Sequence, residues 1–591
     1  MGRGRIWASV LGIAALIGLA LLLRALASGD SAPLFVDSDD AMHMVTAQSL
    51  AHGQAWFDTT SYRENAPFGA PMHFSRLIDA PLAGLILVLQ PLFGGGADDL
   101  TAQLYPVLLI PLLAAAAFLL IRQVVPNASP LVSAIVPFLS AVILVEFSPG
   151  RVDHHNVQMI LTAAMVACTL AGRRDLLAAV LAGAFGALSL AVGAETFHLL
   201  AVAIAVFGLY WVVEPASGRR VAGFAIGLAL SSGVLFFALV APAAYLSRAC
   251  DAFSFSYVTA LVAAAAALFA AVAIGRRVKA RLWRFVLLAV AGGLAVLATV
   301  AISPECLHGP YAAVPPQLMA SFLGTVPDAW SAWQNFAVRP AETFIILGIP
   351  LLELGIGVLL AWRARGDARI SWIVLLVFLA VALALSLLQL RGARLAVIYG
   401  VPVAVAVIEL ARRRYLSRGG VGALLVTALS FLPFAGVLQL PLVQSMAIGG
   451  EAPVSHAAHG PNAPGGSWTQ CASHAVFAKL AALPQGNVIA PIGLAPSLLY
   501  FTPHAAVGTG FHRDVAGMAD NVAFFSGGEV EARRIATERG LNYVAFCGAF
   551  EMTPAGGHAR DAISAGVYYP WLVPISAPED PLQLYRIDLP G

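Results

Sequence analysis

Long runs of alanine, valine, leucine and isoleucine recur along this chain, many of them about 17 residues or more with almost no charge, the length a helix needs to cross a hydrocarbon core. Soluble domains are roughly a quarter charged, whereas here 59% of 591 residues are hydrophobic and 11% charged. The pattern predicts a polytopic α-helical membrane protein, with membrane lipid around it. A net charge of +2, with basic residues gathered in short loops, argues against nucleic acid as a partner.

Those basic loops orient the chain, because Lys and Arg accumulate on the cytoplasmic side. Clusters occur at Arg3 and Arg5, Arg122, Arg173 with Arg174, Arg219 with Arg220, Arg276 to Arg284, Arg363 to Arg369 and Arg412 to Arg418. With two helices between successive clusters, about thirteen spans run from Ile6–Ala27, through Tyr105–Ile121 and Leu131–Phe147, to Val421–Val443. The N-terminus is then cytoplasmic and the C-terminal part periplasmic, in a bacterial inner membrane. Pro81–Phe93 is apolar but short, with a proline near each end, and reads as an interfacial or re-entrant helix inside a first outer loop, 28–104. "ALAS" at Ala25–Ser28 looks like a signal-peptidase site, yet the run before it is long for a signal sequence and is taken as the first span.

A transmembrane region over 1–444 is followed by a Gly/Pro/Ser-rich linker, 445–470, and an external domain, 471–591. There, strand-like runs such as "NVIAPI" and "LQLYRI" alternate with helical patterns, which suggests a small α/β domain. No G-x-G-x-x-G or P-loop occurs in it. Cys250, Cys306, Cys471 and Cys547 fall outside and Cys168 lies within a span. Cys250 with Cys306 and Cys471 with Cys547 are the natural bridges, the alternative being buried thiols.

Two stretches concentrate polar groups on the outer face. "SPGRVDHHNVQM" (Ser148–Met159) brings Arg151, Asp153, His154 and His155, and the segment from Phe35 to Asp79 brings Asp37, Asp39, Asp40, His43 and His73. Carboxylates and imidazoles converging from separate loops suit a divalent cation: oxygen donors fit Mg2+ or Mn2+, and imidazole tilts the choice toward Mn2+ or Zn2+. Asp37 also reads as a helix cap. Arg391 and Arg394 in "LLQLRGAR" stand at the outer end of a span, placed either to grip phosphate bidentately or to anchor the helix at headgroup level. Glu195 and His198 in "GAETFH" are one turn apart, facing a cavity or each other.

The chain resembles the catalytic subunit of oligosaccharyltransferase in its single-subunit archaeal and bacterial forms, a GT-C membrane glycosyltransferase. "DSDDAMH" is similar to that family's first-loop D-x-D followed by a His, "GAPMHF" to its "GAPVHW", and "VDHHN" to its D-H-H. The resemblance implies a GT-C-like fold with a C-terminal external α/β domain. It also implies that Asp39, His73, Asp153 and His155 bind the cation, with Asp39 facing the acceptor and Asp40 beside it counted with the catalytic carboxylates. A polyprenyl-linked sugar is the implied donor, its phosphate met by an arginine near Arg391 and Arg394.

The family's WWDYG motif, which recognises the acceptor sequon, has no counterpart here: the equivalent stretch reads "NVIAPIGLAPSLLYFTPHAAV". Glu305 in "SPECLHGPY" is the candidate for the family's acceptor-positioning glutamate. His504, and His512 with Arg513, either face the catalytic loops or lie on the domain surface. The expected activity is transfer of a sugar or glycan from a polyprenyl-phosphate or diphosphate donor to a glycan, lipid or protein acceptor other than a sequon. Alternatives are an N-oligosaccharyltransferase with a diverged acceptor pocket, a transporter or flippase, and an inactive relative. The transporter reading is disfavoured because the dense polar stretches sit at outer ends rather than mid-membrane.

Overall fold

A computed structural model describes residues 2–28, 33–311, 314–316, 318–319, 329–439, 471–547, 569–577 and 579–589. Among these, 10 helices are long and apolar enough to cross a membrane, and three shorter apolar helices occupy Pro130–Leu139, Leu176–Val192 and Val421–Phe434. Together they match the expected succession of spans. The expected 445–470 linker lies outside the described residues.

Two expectations change. The Leu131–Phe147 span is not one helix: an α segment, Pro130–Ile135, gives way to a 3-10 turn, Val136–Leu139, and a second α segment, Ala141–Glu146. Pro137, which has no N–H to donate, and Ser140, whose side chain caps Ile143, break it there. The helix expected to begin at Tyr105 begins at Ala97 and follows closely on Arg76–Phe93. That Arg76–Phe93 helix buries Ile78, Leu82 and Ile86 against the Ser38–Ala51 helix and exposes Leu87, Val88, Leu92 and Phe93 on its other face.

Small residues let the spans approach. The Leu176–Val192 and Gly218–Leu239 helices cross so closely that a methyl group on Gly183 would run into Phe224 O, and one on Gly227 into Val180 O. Such contacts matter because apolar surface gives helices little preference for each other over lipid. The Arg281–Ile302 helix is almost wholly exposed, and among its side chains only Arg284 is buried, donating to Val212 O at 3.1 and 2.8 Å.

The first loop and the C-terminal domain share one hydrophobic core, in which Phe35, Met42, Met44 and Phe74 pack with Phe477, Phe501, Phe511 and Tyr543. Backbone bonds cross the seam: Ala66 N donates to Ala506 O (3.0 Å) and Ala506 N to Arg63 O (2.8 Å). The loop carries a two-residue hairpin, β1 (Thr60–Ser61) with β2 (Ala70–Pro71). The domain is the expected α/β unit. Its five strands are β3 (Asn487–Ile489), β4 (Ala505–Ala506), β5 (Leu541–Cys547), β6 (Leu572–Pro574) and β7 (Leu582–Ile587), in the order β4-β3-β5-β7-β6. β3 runs parallel to β4 and β5, and β7 antiparallel to β5 and β6. Both natural bridges form, Cys250–Cys306 and Cys471–Cys547, and Cys168 is free.

Candidate active site

The Ser38–Ala51 helix begins with a reciprocal cap. Asp37 accepts from the backbone of Asp39 (2.9 Å) and Asp40 (3.3 Å), and Asp40 accepts in return from Asp37 N (2.9 Å). The capping reading of Asp37 is therefore correct, but the residue does more. Its other oxygen meets the guanidinium of Arg151, and it groups with Asp39 and Asp153.

Arg151, from the opening stretch of the second loop, is the hub. Its buried guanidinium bonds Asp37, Asp40 (3.1 Å), Glu146 (3.1 Å) and Asp153 (3.1 Å). A buried cation is tolerable only when so paired. Asp40 is 0% exposed and fully committed: besides Arg151 it accepts from Val36 N, Asp37 N, Val152 N and Asp153 N at 2.9–3.1 Å. It welds the two loops together and has no oxygen to spare for a substrate.

Around Asp153 stand three histidines. His154 Nδ1 lies 2.6 Å from Asp153 Oδ1, His155 Nε2 3.4 Å from Oδ2, and His43 Nε2 3.7 Å from Oδ1. His43 stacks on Phe74 and turns its other nitrogen to Asp79 at 3.6 Å; neither ring nitrogen makes a hydrogen bond. Glu195 continues the network, 3.7 Å from His154 Nε2, 3.4 Å from His155 Nδ1 and 3.3 Å from Arg391 Nη1. Arg394 Nε bonds Glu146 at 2.6 Å. The two arginines are thus tied to the carboxylate cluster.

Burial sets the charges. Asp39 is pushed up to about 7 by burial and by the neighbouring Asp37 and Asp153 carboxylates. Burial opposes a charge on His154, but contact with Asp153 outweighs it and holds His154 well above the ordinary histidine value. Asp153 is held well below the carboxylate range by His154, His155 and Arg151 against its burial.

Three groups of side chains bring their donor atoms within 4.8 Å of one another: Asp37, Asp39 and Asp153; His43, Asp153 and His154; and His154, His155 and Glu195. The expected set of Asp39, His73, Asp153 and His155 is not gathered in one sphere. Asp39 and Asp153 meet, and His155 reaches Asp153, but His73 turns toward the C-terminal domain, its ring 4.5 Å from that of His512. Burial and the nearby His512 and Arg513 hold His73 well below the ordinary histidine value. His154 and His43, counted in the sequence among the converging imidazoles but not in the expected ligand set, are members of the cluster. Their adjacency to Asp153 and Asp40 in the same motifs was the available signal.

The cluster faces a cavity of about 2240 Å3 lined by Asp39, His154, Glu195, His198, Arg391 and Arg394 among others. Glu195 and His198 both face it and form no mutual ion pair. Glu305 is a correction: it is not among the lining residues and is 3.9 Å from Arg248 in a half-exposed pair. Across the mouth, Asp251 accepts from Arg513 (2.6 and 3.0 Å) and pairs with His512 (2.7 Å), while Arg513 also donates to Met72 O. His504 is buried inside the domain between Gly486 N and Leu480 O. Of the sequon-equivalent stretch Ala490–Leu494, all buried, Gly493 alone lines the cavity.

No protein-family profile and no curated protein matches the chain by sequence. Solved structures do. An archaeal oligosaccharyltransferase from Archaeoglobus fulgidus, tethered to an acceptor peptide containing the NVT sequon, superposes with a TM-score of 0.65 at 14% identity, covering 99% of this chain and 74% of that one. The same organism's AglB, in complex with an inhibitory peptide and a dolichol-phosphate, gives 0.63 at 16% identity, covering 92% and 69%. Its complex with Zn and sulfate gives 0.59 at 15% identity, covering 91% and 68%. The chain therefore has the multi-helix fold of these archaeal oligosaccharyltransferases, together with a C-terminal α/β domain.

Proposed function

We propose that the protein is a membrane glycosyltransferase that moves a sugar or glycan from a polyprenyl-phosphate or diphosphate donor to an acceptor other than an N-x-S/T peptide, on the outer face of a bacterial inner membrane. One observation carries this reading: carboxylates, histidines and two arginines meet at the head of a cavity whose walls continue down apolar helices. A charged headgroup on a hydrocarbon chain matches that arrangement. The similar structures that hold dolichol-phosphate and zinc support it.

Asp37, Asp39 and Asp153 would hold the divalent cation, and Asp39, raised by burial and then by the Asp37 and Asp153 carboxylates, is the group whose charge a cation would stabilise. Bound there, the metal would neutralise charge on the departing phosphate. Arg391 and Arg394, braced by Glu195 and Glu146, would take the phosphate oxygens. Asp39 lines the cavity and would accept the hydrogen bond of the acceptor group. Asp40 and Arg151 then serve as positioning residues, not catalytic ones.

The non-sequon acceptor rests on Ala490–Leu494, which supplies no polar side chain to the cavity. Sites built to bond a substrate hydroxyl reject analogues lacking it by large factors. Purified protein given lipid-linked donor and either an N-x-T peptide or its N-x-A counterpart is expected to glycosylate neither efficiently. Efficient, hydroxyl-dependent transfer would overturn this acceptor assignment.

A further inference from the structure

Two sets of helices line the cavity, and the Gly366–Leu388 helix packs against both: against Phe197–Val213 in the first set and against Pro340–Arg363 and Ala393–Arg418 in the second. It lends the cavity only Leu385 and Leu388 at its outer end, and its middle is buried. On one side, a stripe of His198, Ala201, Ala205 and Leu209 at helical spacing lines a long apolar arm with the Phe255–Ile274 and Arg281–Ile302 helices. On the other side, Arg394, Val397, Val401 and Ala404 form a second stripe, facing Ile346, Ile349 and Glu353 of the neighbouring helix. Ten residues separate Arg394 from Ala404, so this second arm descends about 15 Å from the arginine.

The second arm holds one polar group. Glu353 is 4% exposed, lines the cavity, and has no hydrogen-bond or ion-pair partner among the described residues. Its carboxyl lies against Gly400, where any methyl group would overlap it. Gly400 is six residues past Arg394, which sets Glu353 about 9 Å below the arginine. An unpartnered carboxyl at membrane depth is costly and marks a binding position.

From this arrangement we infer that the second arm takes an acylated lipid, whose acyl linkage hydrogen-bonds Glu353, and that this lipid is the acceptor of the proposed transfer, a step that rests on the glycosyltransferase reading. A headgroup hydroxyl forms the new bond to the sugar's anomeric carbon as the bond from that carbon to the polyprenyl phosphate oxygen breaks, the polyprenyl phosphate leaves, and the hydroxyl proton passes to Asp39. A polyprenyl chain is hydrocarbon throughout and would leave Glu353 unsatisfied. A peptide would need partners for every backbone N–H and C=O, which these walls lack. An acylated lipid supplies one polar linkage a short way below its headgroup. An ester carbonyl accepts from the carboxylic acid, and an amide N–H donates to the carboxylate.

Native mass spectrometry of the full-length protein tests this, with polyprenyl phosphate offered together with either a diacyl phosphatidylglycerol or an N-acyl sphingolipid. The wild type is expected to retain polyprenyl phosphate and one acylated lipid at once. Glu353→Leu should reduce retention of the acylated lipid about tenfold while leaving polyprenyl phosphate bound, and Glu353→Gln, which keeps a donor and an acceptor, should restore it. Ala404→Phe, which fills the arm without touching the carboxyl, should also exclude the acylated lipid. Retention of the ester or the amide lipid alone identifies the linkage. Mutually exclusive binding of the two lipid types, or retention unchanged in both Glu353→Leu and Ala404→Phe, overturns the inference. Loss of polyprenyl phosphate from the wild type with the acylated lipid still bound would instead overturn the donor reading.

Discussion

Nη2 of Arg151 stands 3.1 Å from Oδ2 of Asp153, and the same guanidinium reaches Asp37, Asp40 and Glu146. One cation thus holds four carboxylates from two loops and a broken span in register. Arg151→Leu is expected to destabilise the protein by about 3–5 kcal/mol, because it leaves buried like charges unpaired. Arg151→Lys should recover only part, since one ammonium cannot copy the forked geometry. Thermal unfolding in detergent measures both; a melting temperature unchanged in the leucine variant would refute the hub.

The histidines separate two descriptions of the cation site. His154→Ala is expected to weaken Mn2+ binding by about 10–100-fold, as loss of a contacting partner does. His73→Ala should leave binding nearly intact, because its ring faces His512. Titration calorimetry of the purified variants with Mn2+ reads this directly. Equal losses in the two would restore His73 to the ligand set.

Asp39→Asn should abolish transfer with little change in folding. Its carboxylate groups only with Asp37 and Asp153 and caps nothing, whereas Asp40→Asn should cost both folding and activity. Unfolding curves and single-turnover transfer, measured together, decide it. An active Asp39→Asn enzyme would require another residue to handle the acceptor.

Glu64 of the first loop is fully buried, accepts from Thr509 of the C-terminal domain, and is raised to about 8 by burial and by the nearby Asp514. A carboxyl whose folded pKa exceeds its unfolded one favours the fold most below the unfolded value and loses that contribution as pH rises through the folded value. Stability is therefore expected to fall between about pH 4.5 and 8, by on the order of 5 kcal/mol from this group. Glu64→Gln keeps the bond to Thr509 and should flatten that slope. An identical pH profile in the variant would show that Glu64 does not titrate there.

The alternation of apolar runs and basic loops made the helical membrane fold legible, since lipid forces each crossing to satisfy its backbone internally. Topology named Cys250 with Cys306 and Cys471 with Cys547 as the natural partners, but it left open whether they bond or stay as buried thiols, which only the three-dimensional proximity decides. Less legible was the division of labour among adjacent polar residues. Asp39 and Asp40 are neighbours in sequence, yet one faces the cavity and the other is consumed by backbone amides, because successive helical positions point about 100° apart. His73 sits in a motif that matches, but the domain packed against it supplies His512 and draws the ring away. Glu353 was hidden by its spacing, one acid in a long apolar run, and took meaning only from Gly400 on another helix.

The core shared by the first loop and the C-terminal domain bears on biogenesis. Asp37, Asp39 and Asp40 follow directly on Phe35, which packs against Tyr500 and Phe501. During synthesis the first loop is made long before residues 471–589, so it waits with part of its apolar core uncovered. The segment that carries the carboxylates gains its full apolar backing only when that domain packs on Phe35 and Phe74. A nascent chain halted before that domain is made would leave this apolar face of the first loop uncovered for quality-control factors to bind.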